Sequence, residues 1–307
     1  MEDRMAVEDD TLPSVSPNSQ YGDYIFGALL GASIDFYGTG VHTWSWTEPV
    51  ITDWGQLDGL VYDPEREWTR RCLGNLRYGI ERAGDRYALG CLLAIEALNL
   101  CVMLRGASAA YLDVVDHPDE LRRLMAFGVE FIEQFTRLQR EVIREHNDAV
   151  LDDPEYAAVC PNHSGISLSV DAYDLCHPDV YRRMGREYQA DLIERCGWAS
   201  YHIHGDGRHL ISEVATLPKI TRMNIQDDMH EVLPRAFAVR ADLRRQTGDV
   251  PLHVACTREE LLEGIANRSL PGGVMYTTSA DSVAEANEMM KRVRDYEAPD
   301  ELAAGAL

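Results

Sequence analysis

A (β/α)8 TIM barrel with an N-terminal extension is the fold this sequence predicts, and three observations predict it. Short runs suited to strands alternate with helix-like segments through the second half, at intervals of roughly 20 to 35 residues, as in parallel sheets joined by helices. A long amphipathic segment precedes them, opened by Asp116-His117-Pro118-Asp119-Glu120, with apolar residues at helical spacing from Leu121 to Ile143. No Gly-x-Gly-x-x-Gly follows a first strand, which disfavours a dinucleotide-binding open sheet.

Taken in order, residues 1 to 20 are acidic and then rich in Ser, Pro and Asn, and read as a flexible acidic tail. Residues 21 to 297 hold the barrel and 298 to 307 a C-terminal tail. Tyr24 to Tyr37 reads as a small-residue helix running into a strand. Thr43-Trp44-Ser45-Trp46-Thr47-Glu48-Pro49 reads as a loop. Its Trp44 and Trp46 are either lids that pack it down or an aromatic wall for a flat or apolar substrate. Residues 64 to 83 suit a helix, with Pro64 in its first turn and Ala83-Gly84 closing it. Ala88 to Leu104 is apolar apart from Glu96 and Asn99 and ends on Arg105-Gly106. It and its neighbours are expected to supply the strands missing from the first half. Arg105 there is a solvated cap or an anion clamp.

The second half gives strands at Ile166–Asp171, Ser200–His204, Ile220–Gln226, Pro251–Ala255 and Gly273–Thr277. Helices are expected at Pro178–Cys196, Arg208–Leu217, Glu231–Thr247, after a capping box opened by Thr257, and at Val283–Tyr296 capped by Ser279 or Asp281.

Composition narrows the function. The net charge of −22 disfavours nucleic acid as a partner. Among 29 basic residues only Lys219 and Lys291 are lysine, which with the acidity suggests a surface suited to high salt, a halophile's. No run is long and apolar enough to span a bilayer, and no secretory signal opens the chain, so a cytoplasmic enzyme, monomer or homodimer, is expected. Seven scattered cysteines, none spaced Cys-x-x-Cys, argue against a disulfide framework.

The most informative stretch is Tyr201-His202-Ile203-His204-Gly205-Asp206-Gly207. In a strand, residues two apart share a face, so His202 and His204 point together, and the Gly-Asp-Gly turn ends the strand. Barrel active sites lie at such C-terminal strand ends. The other ends offer Asp171, Gln226, Asp227, His253 with Cys256, and Tyr276 with Thr277 and Thr278. Two chemistries fit. His202 and His204 could hold zinc with a third ligand from His253, Cys256, Asp206 or Asp227. Alternatively, the histidines with Asp171 and Asp206 act as acid and base, with Arg105 and Arg208 neutralising substrate carboxylates. Cys160-Pro-Asn-His163 is a further candidate loop or a plain turn.

The chain resembles the uroporphyrinogen decarboxylase superfamily. The resemblance rests on Tyr201-His202-x-x-Gly205, Leu217-Pro-x-Ile220 with Ile225-Gln226, and Ser169-Val-Asp171 followed by His177-Pro-Asp-Val-Tyr181. It extends to Arg105-Gly106 with Leu112 to Pro118, Thr43-Trp44 with Pro49 and Asp53-Trp54, and Ala286-Asn-Glu-Met289, all in the family's order. The resemblance implies a (β/α)8 barrel whose relatives include the porphyrin decarboxylase, a lyase, and corrinoid- or thiol-linked methyltransferases. It departs in three places. No arginine-rich Met-Arg-Gln-Ala-Gly-Arg signature precedes Thr43, His204 stands where the zinc methyltransferases carry cysteine, and no cysteine lies near Tyr276. The expected function is therefore methyl transfer linked to a thiol or a corrinoid partner protein, with a small-molecule substrate. Tetrapyrrole decarboxylation and a catalytically silent ligand-binding barrel are the alternatives.

Overall fold

The computed structural model describes residues 2–11, 13–39, 42–84, 86–92, 94–145, 165–228 and 233–302. The Cys160–His163 loop lies outside them. Nine strands are described: β1 Ser14–Val15, β2 Ile34–Thr39, β3 His42–Thr47, β4 Ala88–Leu89, β5 Ile166–Ser169, β6 Ala199–Ile203, β7 Ile220–Ile225, β8 Leu252–Ala255 and β9 Val274–Thr277. The last five form one parallel sheet in sequence order, covered by helices, and give a TIM-barrel-like α/β fold. β1 and β4 pair in parallel, and β2 and β3 form an antiparallel hairpin.

Helices are α1 Ile25–Leu29, α2 Glu67–Ala83, α3 Ala97–Arg105, α4 Ala107–Asp116, α5 Pro118–Arg144, α6 Arg186–Cys196, α7 Arg240–Thr247, α8 Arg258–Ala266 and α9 Val283–Arg294, with shorter turns between them. The amphipathic pattern of α5 is realised in full, burying Leu121, Leu124, Phe131, Ile132 and Phe135. Thr257 closes the expected capping box on α8: its hydroxyl accepts from Glu260 N, and Thr257 N donates to Glu260 Oε2 at 2.7 Å.

The first half departs from expectation. The apolar run from Ala97 is a helix, because the Glu96 carboxylate accepts from the N–H groups of Leu98 (2.7 Å) and Asn99 (2.6 Å) and caps α3. An apolar run buried on all sides carries no periodicity, so sequence could not separate helix from strand. Trp44 and Trp46 lie in a strand rather than a loop, paired across the hairpin with Tyr37 and Asp35. The acidic first residues do not hang free. β1 pairs with β4, and Glu8 N donates to Asn287 Oδ1 (2.8 Å) while Asn287 Nδ2 donates to Ala6 O (3.1 Å). Backbone donors can find partners far along the chain, which composition does not reveal. The helix expected at Glu231–Thr247 is described only from Arg240, since Pro234 cannot continue a helical hydrogen-bond ladder. α9 is capped by Ser282, one residue past the expected Asp281.

Sheet register positions the chemistry. Ser169, His202, Asn224, His253 and Met275 stand abreast across the five strands. Their side chains share the face turned away from the covering helices. On the other face Tyr201 is buried against α6, where its hydroxyl donates to Gln189 Oε1 (2.8 Å). Tyr181 donates to the same oxygen (2.9 Å), and Gln189 Nε2 donates to Ser169 O (3.1 Å). This buried network fastens α6 to the two strands that carry the site.

Candidate active site

The strand alternation of β6 puts His202 and His204 on one face, and the two rings meet. Their Nε2 atoms are 3.0 Å apart with the ring planes at 82°. His204 Nδ1 lies 2.7 Å from Asp228 Oδ1, and Gly205 N donates to Asp228 Oδ2 at 3.3 Å. Asn224 Nδ2 is 3.5 Å from His202 Nδ1, at the outer limit of hydrogen bonding. Donor and acceptor rules order this chain. Asp228 accepts from His204 Nδ1–H, so in the neutral pair His204 Nε2 accepts from His202 Nε2–H. A proton added to His204 reverses the middle bond, and His204 Nε2–H then donates to His202.

Carboxylates surround the pair. Asp171 follows β5 in a single 3-10 turn, Asp174 comes one residue after it, and Asp23 arrives just before α1. Oδ1 of Asp171 and of Asp174 is buried without a hydrogen-bond partner among the described residues. Gly207, in the turn after β6, leaves room for Asp174: a Cβ there would stand 2.3 Å from its Oδ1. Asp206 is exposed at the start of that turn and adds its charge to the same region. Its backbone carbonyl accepts from His209.

Electrostatics drive the two histidines apart. Burial, then the neighbouring His204, lowers the His202 pKa below 6.5. Burial also opposes charge on His204, yet the Asp228 hydrogen bond and the charges of Asp171, Asp228 and Asp174 outweigh it, and its pKa is raised. Burial and then Asp171 push Asp174 up to about 7. Asp23, although exposed as a residue, rises for the same two reasons. Glu96, fully buried beneath the site, is pushed by burial to about 8 despite its two backbone donors. Pairs of titratable groups held at different pKa values are the mark of acid and base roles.

The structure brings together His202, His204, Asp171 and, at the rim, Asp206. It does not bring the other sequence candidates to them. Arg105 is engaged inside the fold: it pairs with Asp113 (2.7 Å), donates to Ile51 O (3.0 Å) and stacks on Trp54. Asp227 faces Arg208 (2.8 Å) and Arg235 (3.4 Å) and accepts from Ala236 N, tying down the loop after β7. Gln226 is exposed, and its N–H donates to Ile203 O. Tyr276 lies on the helix-facing side of β9 against Phe237. Trp44 stacks on Tyr37, and Trp46 packs at a tilt against Tyr24, the residue next to Asp23.

His253 stands in the same row as His202 but two strands away, with Asn224 between. Backbone separation there is roughly 9 to 10 Å at ordinary strand spacing, and among the described residues no three His, Cys, Asp or Glu side chains come together to hold an ion. It pairs with the Thr277 hydroxyl, and burial followed by Arg222 lowers its pKa to about 4. Cys256 is buried, its thiol pushed to about 11 by burial.

Sequence reading passed over Asp23, Asp174, Asp228 and Asn224. Two of these had a signal. Asn224 and Asp228 lie two residues either side of Gln226, so the alternation that selected His202 and His204 selects them too, although β7 itself ends at Ile225.

The site is thus a histidine pair backed by a carboxylate at the C-terminal end of a parallel sheet, the end at which barrel folds carry their active sites. Neither a protein-family model nor a curated protein matches the chain. Among solved structures it is similar to a methyltransferase from Methanosarcina mazei, with a TM-score of 0.62 over 92% of this chain and 79% of that one, at 11% identity. At that identity the likeness is one of fold. Among the described residues, no single helix is long and apolar enough to cross a membrane.

Proposed function

We propose that the chain is a methyltransferase-like enzyme of the uroporphyrinogen decarboxylase superfamily, moving a methyl group from a small-molecule donor or a corrinoid protein to a thiol. The observation that carries this reading is the Asp228–His204–His202 chain. His202, neutral and donating its Nε2–H to His204, takes the proton of an acceptor thiol at Nδ1 and so generates the thiolate that attacks the methyl carbon, while the bond from that carbon to the donor breaks and its electron pair leaves with the donor. His204 and Asp228 orient it and offset the charge it gains, as a carboxylate does for a catalytic imidazole. Asp171 and Asp174 lie where they can bind or exchange protons with the other reactant. The fold shared with a methyltransferase supports the reaction class.

The ring of carboxylates favours neutral or cationic acceptors. It also weighs against the tetrapyrrole alternative, whose carboxylate-bearing substrate would meet Asp23, Asp171 and Asp174 with Arg105 already engaged. The direct test is transfer from methylcobalamin to three thiols, cysteamine, mercaptoethanol and mercaptoethanesulfonate, followed by the loss of methylcobalamin absorbance. Turnover should fall in that order. Absence of transfer to all three, together with decarboxylation of uroporphyrinogen, would replace this reading by the alternative.

One observation favours a metal-assisted version. Two ligands of a tetrahedral zinc stand roughly 3.3 Å apart, close to the 3.0 Å between the two Nε2 atoms. Asp228 accepts at the opposite nitrogen of His204 as the outer partner of a metal-bound histidine does. A zinc there would lower the pKa of an acceptor thiol. Among the described residues no set of three His, Cys, Asp or Glu completes such a site. Metal analysis of the purified chain and of His202→Ala decides it: zinc in near-stoichiometric amount that disappears in the variant supports the metal version, and equal trace content in both removes it.

A further inference from the structure

One large cavity lies away from the histidines. It has a volume of about 1020 Å³ and lies at the edge of β9, between that strand, α8, α9 and residues 3–11. Among the described residues β9 pairs only with β8. In a β-α unit the helix normally packs its apolar stripe onto the sheet. Here α9 carries such a stripe (Val283, Ala286, Met289, Met290, Val293) but buries only Met289.

The walls are largely aliphatic, with Leu261, Ile265, Leu270 and Val274 facing Met289 and Met290. The cavity opens to solvent on one side, and water lying against its aliphatic wall lacks the two to four polar partners that order it. The polar groups lie elsewhere on its walls. Two of the polar atoms there are without a partner among the described residues: Arg4 Nη1 and Thr278 Oγ1, both buried. The other side of the Arg4 guanidinium is held by Asp9 at 2.9 Å.

We propose that this cavity is a second ligand site, taking an elongated, uncharged apolar molecule with one hydrogen-bond acceptor. The hydrocarbon lies along the aliphatic wall between α8 and α9, and the acceptor receives the Arg4 Nη1–H. Charge at that end is disfavoured in both signs. An anion meets Asp3, Asp9, Asp10 and Asp281, which also line the cavity. An ammonium offers only donors to a guanidinium that needs an acceptor. The two methionines supply a wall that adapts to the shape of its ligand. The site stands independently of the reaction proposed at His202 and His204.

Nile red, uncharged and apolar with a ring carbonyl, is the probe, titrated by fluorescence into the full chain. Saturable binding is expected, displaced by undecanone at least ~10-fold more effectively than by decanoate or decylammonium. Met289→Trp and Ala286→Leu, which fill the cavity, should each weaken the probe at least ~10-fold while keeping the parent circular dichroism. No saturable binding to the parent chain overturns the proposal, as does equal displacement by the ketone and the two ions. Unchanged binding by either folded variant also overturns it. The displacement series uses only the parent chain, so it stands even where a filled variant fails to fold.

Discussion

The two faces of β6 carry polar groups of opposite kinds. On the helix side, Tyr201 gives its hydroxyl to Gln189, which also receives Tyr181 and donates to Ser169 O. Gln189 and Tyr201 are almost wholly buried. On the other side, one residue along, His202 and His204 are half-buried, share a proton position, and sit among carboxylates with unpartnered oxygens. A network that is complete has nothing left to offer a ligand and serves stability. One that leaves capacity open, and holds its members at different pKa values, is suited to chemistry.

Breaking each side separately should show the difference. His204→Ala is expected to lower methyl transfer by about a hundred- to ten-thousand-fold, the usual contribution of a positioned acid or base. It should leave the denaturation midpoint nearly unchanged, because the ring is only half-buried; a large loss of stability with activity retained per folded molecule would reverse the assignment of the two faces. Gln189→Leu should do the opposite. It strands two tyrosine hydroxyls and a strand carbonyl, costing roughly 2–4 kcal/mol in urea unfolding, with turnover per folded molecule within a few-fold of the parent.

The pH dependence sharpens the comparison further. His204 is raised above 6.5, so the stability it contributes is fully present below pH 6.5 and is lost as pH rises through its folded pKa. His202 is lowered, so it works against the fold as pH falls below 6.5. A proton on His204 makes its Nε2 a donor and leaves His202 no free base nitrogen, so the rate should rise as pH climbs through the raised His204 pKa. Asp228→Asn removes the main support for the charge, so that rise should move to lower pH, with about a tenfold loss of the plateau rate, a modest effect for an orienting partner. An unmoved rise in that variant would assign it to another group.

Glu96 offers a test that reads on stability alone. Its carboxyl titrates near 4.5 when unfolded and about 8 when folded. Between those values the folded state binds the proton that the unfolded state releases, so stability declines as pH rises from 4.5 to 8. Glu96→Gln keeps one acceptor for the N-terminus of α3 and should flatten that decline, as read from urea midpoints across the range. A slope identical to the parent's would show that Asp174 or Asp23 dominates it.

Much of this was written in the sequence, because period and turn chemistry are local. The spacing of His202 and His204 placed both on one face, the Gly-Asp-Gly turn ended the strand, and the rhythm after Ile166 gave five parallel strands in order. Thr257 announced its capping box, and the α5 stripe announced its buried face. What tertiary structure alone decided concerns partners distant along the chain and segments with no period. Asp23 reaches a site built from residues 171 to 228, and no spacing rule links them. Arg105 reads as a candidate anion clamp until Asp113 and Ile51 are seen to occupy its donors. The run from Ala97 is apolar on every side, so only packing made it a helix. His253 and Cys256 have the chemistry of metal ligands, yet among the described residues they join no group of three such side chains, and a side chain's chemistry does not encode where its neighbours fall.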